Sequence, residues 1–587
     1  MESIYRLLKA VLIEFFKTNY PESIPSDFIF QSTNKEHQGH ITLMVFPLAK
    51  LVKKSPDDLA NAIGIYLMSS DLILGQQVIK GFLNLQLSPK AFQLLIQDNS
   101  DLKIESKDLK KIVLEYCGPN TNKPIHIGHL RNMFLGYAVA AILKEVGHDV
   151  HKVNIFNDRG IAICKSMVGY MEYGNQTTPE SEGIKGDFFV GKFYVLFSTE
   201  CSRQAQPFIA QGMKKEEAEA QTAIFQKAND LLIKWENGDI EAITLWNLMN
   251  CWFYDGVRKT YARLGIDSEK DYYESQEYKK GKDIVEIGYQ SGVFQKDETG
   301  AIYIDLTDKG LDKKFLQRSN GTSLYITQDM ALVKQRFDDY HMDKMIYVVG
   351  DEQNYHFKVL KYIMEAMQEP FSKDIYHLSY GLVLGKDGSK FKSREGTPAD
   401  ADMILDAVVE EAKSQTLESG KAEQFSEKEL KEIAESVGLG ALKFALLKVT
   451  ATKNIVFDPK EAVDLNGDTG SFIQYTYVRT KSILSRWEGK LNSQMATELA
   501  AEEEDLILHL SSFKSCLLRC AEALDPSELA LFTLNLAKIY NRFYTQVSVL
   551  KEENIEKRNF RVFLTNLTNQ ALSKSLTILG VPLPEKM

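Results

Sequence analysis

Four short runs of apolar, β-branched and aromatic residues constrain this chain most: KIVLEYC (111–117), HKVNIF (151–156), MIYVVG (345–350) and YHLSYGLVLG (376–385). Each has the composition of a buried strand, and helical stretches separate them. Strands alternating with helices predict a parallel, doubly wound sheet, whose ligands sit beyond the carboxyl ends of its strands. A mostly helical segment from about Tyr170 to Cys251 is expected to insert between the two halves of that core.

The flanks have other textures. Residues 1–108 open with a helix that carries Ile4, Leu7, Leu8, Val11, Leu12 and Phe15 on one face, then continue in strand-like runs at His40–Val45 and Gly81–Leu87. That pattern predicts a small α+β accessory domain. Beyond Thr397 the strand signal disappears. Amphipathic periodicity predicts a helical connector over 398–460 and an all-α helical bundle over 461–587, behind a Rossmann-like core at 109–397. Several domains suit 587 residues that are 44% hydrophobic and 26% charged. The six cysteines are scattered, and nothing near Cys516 and Cys520 completes a zinc site. Arg6, Lys9 and Glu14 interrupt the opening helix, so it does not resemble a signal peptide, and no apolar run reaches eighteen residues. A cytoplasmic protein without membrane contact is expected. A net charge of −10 argues against indiscriminate coating of nucleic acid. Leu531–Met587, however, holds eight Lys/Arg against four Glu, which suits a local basic patch for a shaped RNA.

The strongest local signal is GPNTNKPIHIGHLRN (118–132). A strand ends in a Pro-Asn turn and a helix begins near His126-Ile127-Gly128-His129. A helix N-terminus attracts phosphate through its free N–H groups and dipole. His126 and His129 share the face of that first turn, and Gly128 lets a flat ring approach the backbone. The same histidine spacing also suits a metal pair or ordinary packing. YGLVLGKDGSKFKSREGT (380–397) sets Lys386, Lys390, Lys392 and Arg394 among glycines, as a loop for charge on a leaving pyrophosphate or as a solvated basic loop. No GxxxxGK[ST], GxSxG or GxGxxG stretch occurs.

With those residues in view, the chain resembles the class I aminoacyl-tRNA synthetases. His126–His129 matches their HIGH motif, and Lys390-Phe391-Lys392-Ser393-Arg394 is similar to a degenerate KMSKS loop. EYCGPN (115–120), NIFNDRGIAICKSM (154–167), Tyr325-Ile326-Thr327-Gln328-Asp329, VVGDEQNYHF (348–357) and GDTGSFIQYTYVRTKSIL (467–484) narrow the resemblance to the arginyl-tRNA synthetase family, over essentially the whole chain. The resemblance implies arginine–tRNA ligation in two steps: ATP-dependent formation of arginyl-adenylate, then transfer to the 2′-OH of the terminal adenosine of tRNA. No protein nucleophile is needed, so positioning and charge stabilisation carry the catalysis.

Carried over residue by residue, the resemblance gives His126, Gly128, His129, His356, Lys390 and Lys392 to ATP, as the complex with Mg²⁺, with no zinc. It gives Glu115, Asn120, Tyr325, Asp329 and Gln353 to arginine, the carboxylates suiting a planar, permanently charged guanidinium. Ser393 stands where KMSKS has its second lysine, and Lys123 is expected to compensate. Gly118 stands where the family often has Ser. Tyr475, Tyr477, Arg479, Tyr540 and Arg542 are the expected anticodon contacts, since splayed bases stack on aromatic rings. Phe82 and Asn84 are the expected contacts from the N-terminal domain. A monomer is implied. Three rivals stand beside this reading: a synthetase for another amino acid, a small-molecule nucleotidylyltransferase, and a non-catalytic RNA-binding relative.

Overall fold

A computed structural model describes residues 1–34, 36–99, 101–104, 108–278, 280–319, 321, 324–389, 400–418, 425–495 and 498–587. The N-terminal domain packs helix α1 (Glu2–Asn19) beside a four-stranded antiparallel sheet of β1 (Phe30–Ser32), β2 (Ile41–Met44), β3 (Ile73–Ile79) and β4 (Phe82–Leu87), in the order β1-β2-β4-β3. The amphipathic spacing works as expected: α1 buries Ile4, Leu8, Leu12, Phe15 and Phe16. Leu7, assigned to the same face from the sequence, lies 40% exposed because it falls at the edge of the apolar stripe.

The core begins with β5 (Lys111–Glu115), followed by α2 (Ile127–Glu145) and β6 (Asp149–Phe156). An all-helical insertion follows, and the chain returns at β7 (Lys270–Tyr273). The insertion is longer than the sequence suggested, running from Ile161 to Leu264. Glycines bracket it: Gly160, at φ 99°, opens the first helix, and Gly265, at φ 64°, closes the last in the left-handed conformation. A small antiparallel sheet that sequence reading did not anticipate comes next, formed by β8 (Gln295–Lys296), β9 (Ile302–Asp305) and β10 (Lys313–Gln317). Helix α3 (Tyr325–Tyr340), β11 (Lys344–Gly350), α4 (Asn354–Ala366) and β12 (Ile375–Tyr380) complete the core.

Five parallel strands pair in the order β12-β11-β5-β6-β7. The order reverses at β5, which has β6 on one side and β11 on the other, so a crevice opens beyond the carboxyl ends of β5 and β11. The run 376–385 divides after Tyr380, and β13 (Val383–Leu384) pairs in parallel with β14 (Ile455–Val456), a two-residue strand inside the region expected to be purely helical. Every other element described after residue 400 is a helix, and the helices Glu427–Leu447, Phe513–Ala523 and Ile555–Ile578 all pack on α2.

Candidate functional site

The crevice is a cavity of about 650 Å³ whose walls include Glu115, Asn120, His129, Tyr325, Asp329, Gln353 and His356. Residues from three distant stretches thus meet where the strand order reverses. His126 caps α2 and Gly128 lies in its first turn, while Lys123 stands in the turn before it; these three are not among the cavity's lining residues. Lys390 and Lys392 lie outside the described residues.

Both imidazoles cap α2. His126 Nδ1 accepts the Gly128 N–H at 3.2 Å, and His129 Nδ1 accepts the His126 N–H at 3.1 Å. A Cβ on residue 128 would stand 3.0 Å from the His126 ring, so glycine gives that ring its place. The rings lie 4.0 Å apart, centroid to centroid. Burial, with Lys123 adding repulsion, lowers His126 to about 4; burial lowers His129 well below the usual histidine range, with the neighbouring His126 and Lys123 adding repulsion. With Nδ1 used as acceptor, each neutral ring carries its proton on Nε2, a donor suited to a phosphate oxygen.

The carboxylates divide by their partners. Glu115, at the end of β5, is ion-paired with Arg336, whose fully buried guanidinium lies between the rings of Tyr272 and Tyr347. Asp329, one turn into α3, meets His356 Nε2 at 2.5 Å. Sequence reading missed a third wall carboxylate, Glu274, directly after β7. Glu274 is 8% exposed, has Gln328 as a hydrogen-bond partner, and is pushed up to about 7 by burial. Glu115 had been found through its family motif, and no motif marked the KDYY strand or the acid that follows it. Asn132, also unremarked, accepts the Cys117 N–H at 2.7 Å and donates to the Val348 carbonyl at 2.5 Å, fastening α2 to β11 and to the turn after β5. Tyr325 stands 76% exposed at the cavity mouth, and Gln353 and Asn120 are exposed on its rim. Among the described residues, no group of three or more His, Cys, Asp or Glu is placed to hold a metal ion, and no helix is long and apolar enough to cross a membrane.

The expected RNA contacts fare unevenly. Tyr540 is fully buried, with its hydroxyl directed at Thr565 Oγ1, and Tyr477 is 8% exposed; both are core residues and offer no ring face to a base. Asn84 is also buried, with Oδ1 accepting from the Thr42 hydroxyl of the paired strand, although it shares its strand face with the more exposed Phe82 and Gln86. Phe82 is partly exposed against Phe46. Arg479 sits 4.9 Å from the ring centres of both Tyr475 and Tyr544 and donates to Asn541, while Arg542 is exposed and paired with Asp505.

A family model described as the class I tRNA synthetase (R) catalytic domain matches residues 90–459. The arginyl tRNA synthetase N terminal domain model matches 2–87, and the DALR anticodon binding domain model matches 473–587. Arginine–tRNA ligase of Porphyromonas gingivalis is 43% identical over 568 residues, covering 95% of each chain. That of Bacteroides thetaiotaomicron is 43% identical over 592 residues, covering 99% of each. The solved arginyl-tRNA synthetase of Thermus thermophilus has the same fold, with a TM-score of 0.78 over 99% of this chain and 100% of its own at 24% identity. A doubly wound catalytic core followed by an anticodon-binding helical domain is the plan of a class I aminoacyl-tRNA synthetase. Within that class the chain belongs to the arginyl-tRNA synthetase family, and its activity is arginine–tRNA ligation (EC 6.1.1.19).

Proposed function

We propose that the crevice at β5 and β11 holds arginine beside ATP, and that three carboxylates divide the work of recognition. Asp329 and Glu274 take the guanidinium, with Tyr325 closing over it. Glu115 lines the wall with its charge already met by Arg336. This departs from a pairing of arginine with Glu115 and Asp329 alone: a carboxylate that already holds one guanidinium is a weaker anchor for a second, whereas among the described residues no cationic side chain is bonded to Glu274. Asn120 and Gln353 orient the amino and carboxylate end toward the α-phosphate.

His126 and His129 donate Nε2–H to the phosphates, Gly128 leaves room for adenine, and Lys123, Lys390 and Lys392 offset the charge that develops as pyrophosphate leaves. ATP arrives as its Mg²⁺ complex, in which the ion neutralises β- and γ-phosphate oxygens; no zinc takes part. The 2′-OH of the terminal adenosine of tRNA then accepts the arginyl group. Activation depends on bound tRNA, and the enzyme works as a cytoplasmic monomer. The observation that most supports this reading is the cavity itself, with the neutral His129 imidazole at one side and partly unpaired carboxylates at the other.

Offering all twenty labelled amino acids singly with total tRNA tests it. Arginine alone should be charged, and Asp329→Ala should chiefly raise the KM for arginine. Charging of another amino acid, or an unchanged KM, would remove the guanidinium assignment.

A further inference from the structure

One residue after the His126–His129 turn and its Leu130, α2 carries Arg131, which is 1% exposed. No carboxylate pairs with it among the described residues. Its guanidinium instead donates to four backbone carbonyls on two separate segments. Nη1 reaches Gly381 O at 2.6 Å and Leu382 O at 3.3 Å; Nη2 reaches Ala451 O at 2.8 Å and Thr450 O at 3.3 Å. Those segments lead directly into β13 and β14, which pair Val383 with Ile455 and Leu384 with Val456. Gly385 and Lys386 follow immediately, and Lys386 is held to Asp458 at 2.5 Å and Glu461 at 3.0 Å beyond β14.

A planar fork with paired donors can bridge two strands at once; an ammonium, a single point with three donors, cannot span the same four acceptors. Arg131 therefore fastens the histidine helix to the strand pair from which the basic segment starts. Surface packing needs no such device. A buried arginine whose two terminal nitrogens both donate to carbonyls is costly to desolvate, which points to a demand for close relative placement of the two parts.

We infer that Arg131 is a positioning residue for ATP: it sets the distance between the imidazoles that begin α2 and the β13–β14 root of the basic segment. The inference rests on the assignment of His126 and His129 to ATP.

The test is tRNA-dependent ATP–pyrophosphate exchange by the full-length enzyme, with active sites counted by arginine binding. Arg131→Lys keeps the charge and loses the fork. It should raise the KM for ATP at least about fivefold while the KM for arginine stays within about twofold. A merely structural residue would lower the number of active sites and leave both KM values unchanged. Gly381→Ala provides a second route should Arg131→Lys fold poorly. A Cβ there would stand 2.7 Å from Asn454 Oδ1 and 2.9 Å from the Lys453 carbonyl, displacing the same root while Arg131 remains. It should reproduce the selective defect in ATP. Wild-type KM for ATP in both variants, or equal rises in both KM values, would overturn the inference. Failure of the underlying assignment looks different: His129→Ala would then leave the KM for ATP untouched, whereas failure of this inference alone spares Arg131→Lys and leaves His129→Ala defective.

Discussion

Replacing Glu274 with Gln separates recognition from folding. In the free enzyme the Glu274 carboxyl is raised from 4.5 to about 7, chiefly by burial, with Arg159 opposing the shift and Asp158 and Asp329 adding to it. A guanidinium binds the ionised form, so apparent affinity scales with the ionised fraction. With a midpoint of about 7, about one part in eleven is ionised at pH 6 and about nine in ten at pH 8, so arginine should bind about tenfold more weakly at the lower pH. Loss of a buried charge-assisted contact costs about 2–3 kcal/mol, so Glu274→Gln should weaken arginine roughly 30- to 150-fold at pH 8 and flatten the pH dependence.

Stability moves the other way. The folded state holds this proton more tightly than the unfolded chain, so the wild type loses stability as pH rises from about 4.5 to about 7 and carries the full cost above that range. Glutamine removes that cost, a gain of about 1–3 kcal/mol at neutral pH. The assays are equilibrium arginine binding across pH 6–8 and denaturant unfolding of both proteins. Wild-type arginine affinity in Glu274→Gln, or a flat wild-type profile across that range, would refute the reasoning. A variant that binds arginine weakly and is also less stable would show damage to the fold rather than loss of a contact.

Other expectations follow from the same geometry. Neither His126 nor His129 should titrate between pH 6 and 9, and nitrogen NMR should find both rings protonated at Nε2; a midpoint near the usual histidine value for either ring would contradict this. Tyr540→Phe loses only a hydroxyl directed at Thr565, so unfolding should shift by about 0.5–1.5 kcal/mol with the KM for tRNA unchanged, whereas Arg542→Gln should weaken tRNA several-fold and reduce the slope of log affinity against log salt by about one. Chelating Mg²⁺ with EDTA should abolish adenylate formation, and added Mg²⁺ should restore it; activity persisting without the ion would contradict its role with ATP.

The parts legible in the sequence share one property: their chemistry is local. Short apolar runs become parallel strands because few other structures bury a continuous apolar segment of that length, and HIGH, following KIVLEYC after a Pro-Asn turn, places donors beyond a strand's carboxyl end. Glu115, Asn120, Asp329 and Gln353 were recognisable as wall residues from their motifs. Partnership was not legible. Glu115 and Arg336 lie on different elements far apart in the chain, and only the packing of β5 against α3 reveals that one carboxylate is already neutralised. Glu274 follows an edge strand whose Lys-Asp opening resembles surface, and the short helix it begins packs against α3. Tyr540 and Asn84 show the converse. A helical or alternating period reports that a residue lies on some face, and only the meeting of faces decides whether that face is solvent or core; here both were core. The fold class and chemical inventory were thus written in neighbouring residues, while charge balance and accessibility arose when distant elements packed together, because both are set by what surrounds an atom in space.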